Sequence, residues 1–154
     1  MATVRVGARV PAFSSPSTDG TDFRLADAAG KWLVLYFYPK DATSGCTTES
    51  QEFRDLAGRF RKAGAVVLGV SRDSLRSHAK FREKESLPHH LLSDEDEKLC
   101  RLFDVIREKS LYGRKYMGIE RSTFLIDGSS VLRREWRKVK VAGHAQEVLE
   151  ALHE

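Results

Sequence analysis

The chain of 154 residues carries two thiols, Cys46 and Cys100, and their surroundings differ. Cys46 stands in Thr43-Ser-Gly-Cys-Thr-Thr48, a polar stretch that makes a poor core segment. Just upstream, Trp32 to Tyr38 is an apolar run rich in aromatic and branched residues, and it reads as a strand buried on both faces. Pro39 ends the run because it has no N–H to give a ladder. Asp41, Thr43, Ser44 and Gly45 then suit a polar turn, and Thr43 or Ser44 can cap a helix starting there. Phe53, Leu56, Ala57 and Phe60 follow at helical spacing, and Gly64 closes the helix. Cys46 therefore falls in the first turn. Free amide N–H groups and the helix dipole favour negative charge at that end, and the thiolate is the nucleophilic form of cysteine. Gly45 would let a small substrate come close to the backbone.

The other chemistry-bearing residues read more quietly. Cys100 lies among Leu99, Leu102, Phe103, Val105 and Ile106, the setting of a core or half-buried thiol. Glu49 stands three residues after Cys46, where a C-x-x-C dithiol would have its second sulfur, so a disulfide oxidoreductase is disfavoured. His89 and His90 are adjacent and cannot share one helical face, and no H-x-x-x-H or C-x-x-C spacing marks a metal site.

The elements that must hold Cys46 can be read outward from it. Val4 to Val10 suits a strand or extended opening, Ser14 to Gly20 a loop, and Asp22 to Leu25 a short hairpin with the opening segment. After the nucleophile helix come a buried strand at Ala65–Val70, a helix near 74–85 and a short strand at Leu91-Leu92. A short helix capped by Asp94 or Asp96 then runs to Phe103. Strands alternating with helices at these distances indicate an α/β sheet with crossover helices. Residues 105–118 look irregular. Ser122–Ile126 and Val131–Trp136 flank Asp127-Gly-Ser-Ser130 as a hairpin, and a helix near 144–152 closes the chain.

Pro39, Thr43 and Cys46 form a P-x-x-x-T-x-x-C pattern that resembles the active-site signature of the peroxiredoxins. The wider text FYPKDATSGCTTESQEFRD, with Arg121-Ser-Thr-Phe-Leu-Ile-Asp127 and Lys138-Val-Lys-Val-Ala-Gly-His144, is similar to the peroxiredoxin Q or bacterioferritin comigratory protein subfamily over nearly the whole chain. The resemblance implies one thioredoxin-like domain over residues 1–154, an α/β fold with a mixed central sheet and helices on both faces. It implies a thiol peroxidase in which Cys46 attacks hydrogen peroxide or an organic hydroperoxide and becomes a sulfenic acid. Thr43 would hold a peroxide oxygen, Pro39 would shield the pocket, and Arg121 would stabilise the thiolate and the charge developing across the O–O bond. Glu49 would orient the hydrogen bonds around them.

The resemblance has departures. Many relatives carry a resolving cysteine five residues after the nucleophile, where this chain has Gln51; others carry it on the next helix, near Arg82. Ser44 also replaces a frequent proline. These departures favour a one-cysteine cycle finished by an external thiol such as thioredoxin, glutaredoxin or glutathione. The alternatives are a Cys46–Cys100 disulfide, with Cys100 as the resolving residue, and a thiol redox sensor. No metal, haem or flavin is required. The subfamily resemblance implies a monomer, with a dimer as the alternative.

Bulk properties narrow the partners. A formal charge of +4 comes from basic residues interleaved with acidic ones, as in FREKE and RREWRK, with no basic stripe carrying stacking aromatics, so nucleic acid is not expected. The longest apolar run is too short to span a membrane, and the MATVRVGARVPAF start lacks a signal-like apolar core. Two cysteines make no disulfide framework, which fits a reducing, cytoplasmic setting.

Overall fold

The computed structural model describes residues 4–153. Its centre is the apolar run of the sequence, which forms β3 (Trp32–Phe37) and is buried along almost its whole length. Two short strands precede it, β1 (Ser14–Pro16) and β2 (Asp22–Arg24), paired antiparallel. The helices and strands that follow alternate: α1 (Ser44–Asp55), α2 (Ala57–Lys62), β4 (Ala65–Ser71), α3 (Leu75–Lys84), β5 (His90–Ser93) and α4 (Lys98–Leu102). Then come β6 (Ile106–Leu111), β7 (Arg114–Ile119), β8 (Ser122–Ile126), β9 (Leu132–Trp136) and α5 (His144–Ala151). Five strands make the central sheet, in the order β5-β4-β3-β8-β9. β3 pairs parallel with β4 and antiparallel with β8, so the sheet is mixed.

Alternation along β3 divides the core. Leu33, Leu35 and Phe37 join one apolar cluster with Leu99, Cys100 and Phe103. Val34, Tyr36 and Tyr38 join the other with Cys46, Phe53, Phe60, Phe81 and Val148. Helices therefore cover both faces, as the family resemblance implies: α4 on one, and α1, α2, α3 and α5 on the other. No helix among the described residues is long and apolar enough to cross a membrane.

Several local expectations change. The segment from Val4 to Val10 forms no strand; it meets the edge of β9 through a bridge from Arg9 to Val131 and a bond from Gly7 N–H to Leu132 O at 2.7 Å. Ser14–Pro16, expected as loop, is the strand that pairs with Asp22–Arg24. After this pair, Leu25–Ala28 forms a short 3₁₀ helix. The long nucleophile helix breaks at Leu56, whose ψ of 7° lets α2 set off separately. Residues 105–118, read as irregular, form the β6–β7 hairpin, closed by Tyr112 and Gly113. Its strands carry charged and apolar residues without a clean alternation, which hid it.

Gly69 on β4 illustrates how tightly the layer under α1 is packed. A Cβ there would lie 2.7 Å from Cζ of Tyr36 and 2.8 Å from Leu91 Cδ2. Tyr36 is fully buried and its hydroxyl is hydrogen-bonded to Ser50 and His89, so its ring end has nowhere to go. Gly69→Ala is expected to cost about 1–3 kcal/mol by overpacking, read as a lower urea midpoint with an unchanged slope. A midpoint equal to that of the natural chain would show that the ring can retreat.

Candidate active site

The loop between β3 and α1 is anchored before it reaches Cys46. Asp41, buried, accepts from Tyr38 Oη at 2.6 Å and from Ser77 Oγ at 2.8 Å, and pairs with His78 Nδ1 at 2.7 Å. Its own N–H donates to Asp73 Oδ2 at 2.9 Å. Ala42 then takes a positive φ of 64° and turns the chain into α1. In the sequence Asp41 reads as a turn residue and His78 as one position of the helix near 74–85; only the approach of β4 and α3 makes them an anchor.

Thr43 occupies the N-cap position of α1 with extended backbone, but its side chain does not cap the helix. Its Oγ1 donates back to Lys40 O at 2.9 Å. The amide groups of the first turn, including those of Gly45 and Cys46, therefore keep the N–H directions that a helix leaves without internal acceptors. Cys46 lies in this turn and is 1% exposed. Pro39, half-buried, sits between the end of β3 and the Lys40–Thr43 turn.

Arg121, between β7 and β8, reaches this turn from 75 residues away. Nη2 donates to Cys46 Sγ at 3.4 Å, and Nη1 donates to Glu49 Oε1 at 2.5 Å. Gly45 makes room for it: a Cβ there would stand 3.2 Å from Nη2. The small residue expected to admit substrate thus admits the guanidinium. Burial alone would lower the Arg121 guanidinium, but the charges of Glu49 and Cys46 outweigh it and hold the group above its ordinary value. Glu49 is 1% exposed, and burial pushes its carboxyl up to about 7 against the pull of Arg121. Its Oε2 has no hydrogen-bond partner among the described residues.

A second cation was missed in the sequence. Lys109 on β6 donates through Nζ to Ile119 O at 2.5 Å, two residues before Arg121. Burial lowers its ammonium, with Arg121 adding repulsion and Cys46 pulling the other way. An isolated lysine in an irregular-looking stretch carries no signal for this; the hairpin pairing supplies it.

Other residues singled out in the sequence lie apart. Cys100 is fully buried in the cluster on the opposite face of the sheet from Cys46, and both thiols are free. Burial, with the nearby Asp94 carboxylate, pushes the Cys100 thiol far up. Asp94 accepts from the N–H of Leu99 and of Cys100, so it caps α4. Gln51 donates to Glu85 Oε1 at 2.7 Å and Arg82 to His89 O at 3.1 Å, so both positions make structural bonds between elements. His89 bonds Tyr36, His90 bonds Thr18, and His144 bonds Thr123.

This geometry can be set beside known proteins. Residues 6–135 match the family model described as the AhpC/TSA family. The chain belongs to that family. It is 57% identical over 133 residues to peroxiredoxin Bcp of Xanthomonas campestris, covering 86% of this chain and 83% of that protein. It is 49% identical to peroxiredoxin Bcp of Bacillus subtilis, covering 97% of this chain and 96% of that one. The solved structure of the Xanthomonas campestris bacterioferritin comigratory protein, studied for alkyl peroxide reduction, superposes with a TM-score of 0.89 at 50% identity over 99% of this chain and 98% of that one. The chain is thus a thioredoxin-like peroxiredoxin of the Q/Bcp group, and a thiol peroxidase.

The buried Glu49 has a consequence for stability. Its carboxyl titrates near 4.5 when unfolded and about 7 when folded, so the folded state binds more protons between those values. The contribution is therefore fully present below about pH 4.5 and is lost as the pH rises through about 7. Against Glu49→Gln, the natural chain is expected to lose relative stability across this window, by at most about 1.4 kcal/mol per pH unit, and to run parallel outside it. Urea denaturation of both proteins from pH 4 to 8 checks it; a constant difference throughout would refute the burial effect.

Proposed function

We propose that Cys46 is the peroxidatic cysteine of a one-cysteine cycle that reduces hydrogen peroxide and organic hydroperoxides. The observation that carries this reading is the Arg121 guanidinium donating to Cys46 Sγ at the open end of α1. The Cys46 thiolate attacks the terminal oxygen of the peroxide in line. The O–O bond breaks, sulfur takes the hydroxyl to become a sulfenic acid, and the alkoxide or hydroxide leaves and picks up a proton. Negative charge moves from sulfur to the leaving oxygen, and Arg121 and the first-turn amides stabilise it along that path. Thr43 has its hydrogen engaged by Lys40 O, so its lone pairs are available to accept from the peroxide O–H. Pro39 covers the turn. Glu49 holds one edge of the guanidinium so that the other faces sulfur.

An external thiol then reduces the sulfenic acid. The absence of cysteine at Gln51 and Arg82 supports this, as does the location of Cys100 across the sheet with a thiol held protonated by burial. Such a cycle suits a reducing, cytoplasmic compartment and a monomer.

Cys46→Ser is expected to abolish peroxide consumption, and Cys100→Ser to leave most of it. Arg121→Met is expected to lower the second-order rate constant about 10²–10³-fold, the scale of removing one donor to a developing oxyanion. Intact mass after one equivalent of peroxide, with a sulfenic-acid trap present, should show one adduct mapping to Cys46. A loss of two hydrogens without adduct would replace this reading with a Cys46–Cys100 disulfide.

A further inference from the structure

The β6–β7 hairpin carries features that folding does not explain. Of the six large hydrophobic side chains exposed among the described residues, Leu111, Tyr112, Tyr116 and Met117 lie on it. Tyr112 is 97% exposed and sits in the turn with a φ of 51°, in the left-handed region that suits glycine or asparagine. A bulky aromatic there strains the backbone and buries nothing. Strain and exposed apolar surface together mark a place kept for contact rather than for stability. Arg107, at the base of the hairpin, is ion-paired with Asp104 and Glu120, while Lys109, Arg114 and Lys115 outnumber Glu108 toward the turn, so the tip is cationic as well as apolar.

The hairpin is joined to the reaction site. Lys109 Nζ holds the carbonyl of Ile119, and β7 ends two residues before Arg121. Tyr112 lies three residues beyond Lys109, about 10 Å along the strand. A typical protein interface covers about 800 Å² per partner, a disc roughly 16 Å in radius. A footprint of that size centred on β7 and the chain entering Arg121 takes in the hairpin tip.

We propose that the β6–β7 hairpin is the docking surface for the protein that reduces Cys46, a dithiol protein with an acidic rim. The proposal rests on the external-thiol cycle above. A partner thiolate attacks Sγ of the sulfenic acid and displaces hydroxide, which leaves as water with one proton, forming a mixed disulfide. The partner's second thiol then attacks its own sulfur in that bond, releases the Cys46 thiolate and leaves the partner oxidised. Because Cys46 is almost fully buried, its turn must open before a thiol can reach it. A docked dithiol is already present at the moment of opening, whereas a free small thiol must arrive within it. Exposed apolar and aromatic groups supply the holding contact, and the cations select an acidic face and speed its approach.

The test compares reductants. Peroxide-dependent NADPH oxidation is measured with thioredoxin reductase and a thioredoxin of net negative charge, and peroxide consumption is measured separately with dithiothreitol. Asparagine tolerates the turn conformation, so Tyr112→Asn combined with Arg114→Glu keeps the hairpin folded. The double variant should raise the half-saturating thioredoxin concentration about tenfold, the scale of losing an aromatic contact point, and leave the dithiothreitol-supported rate within twofold. Raising the salt concentration should move the natural chain toward the variant. Equal half-saturation for both proteins would overturn the proposal, as would turnover with dithiothreitol but none with thioredoxin. Failure with both reductants would instead overturn the external-thiol cycle itself.

Discussion

The Arg121 guanidinium is shared between two groups that each want its positive charge. One edge donates to Glu49 and the other to Cys46. A buried carboxylate beside a thiolate would oppose it by like-charge repulsion. Burial answers this by pushing the Glu49 carboxyl up to about 7, so at neutral pH its charge is only partly present. Much of the guanidinium's field is then left for sulfur. Glu49 thus holds one edge of the guanidinium, and its competing charge is reduced by its burial. The rest of the site exists to keep these three groups in one place.

Two sets of contacts do that work. From one side, the Asp41 network ties the β3–α1 loop to α3 and β4, so the first turn of α1 starts from a fixed point. From the other, Lys109 holds the carbonyl of Ile119 and with it the chain entering Arg121. Each anchor comes from a different stretch of sequence, and each meets the site only because β3 is central. Its parallel neighbour brings Asp73, and its antiparallel neighbour follows directly from Arg121.

The same sheet separates the two thiols. Side chains alternate across β3, so the layer containing Cys46 and the layer containing Cys100 lie on opposite faces. Joining the sulfurs would require one element to leave the core, because a disulfide needs Cα atoms within about 7 Å. Cys100 instead packs against Phe103 and Leu99 at a helix capped by Asp94, a setting that keeps its sulfur inert.

By itself the sequence determined the alternation of strands and helices, the central apolar strand, the cysteine in the first turn of a helix, and through its motifs the family. These are local signals: an apolar run, a proline, a polar turn and a helical period all act over a few residues. The β6–β7 hairpin escaped because its strands are exposed and lack alternation, and the break at Leu56 because no glycine or proline marks it. Only the tertiary structure decided that Arg121 meets Cys46, that Lys109 holds the Ile119 carbonyl, that Asp41 is an anchor and that Gly45 makes room for a guanidinium. It also decided that Cys100 faces away. Those are facts of long-range pairing. Charge, burial and hydrogen-bond partners at one point are set by chain segments that sequence spacing cannot bring together.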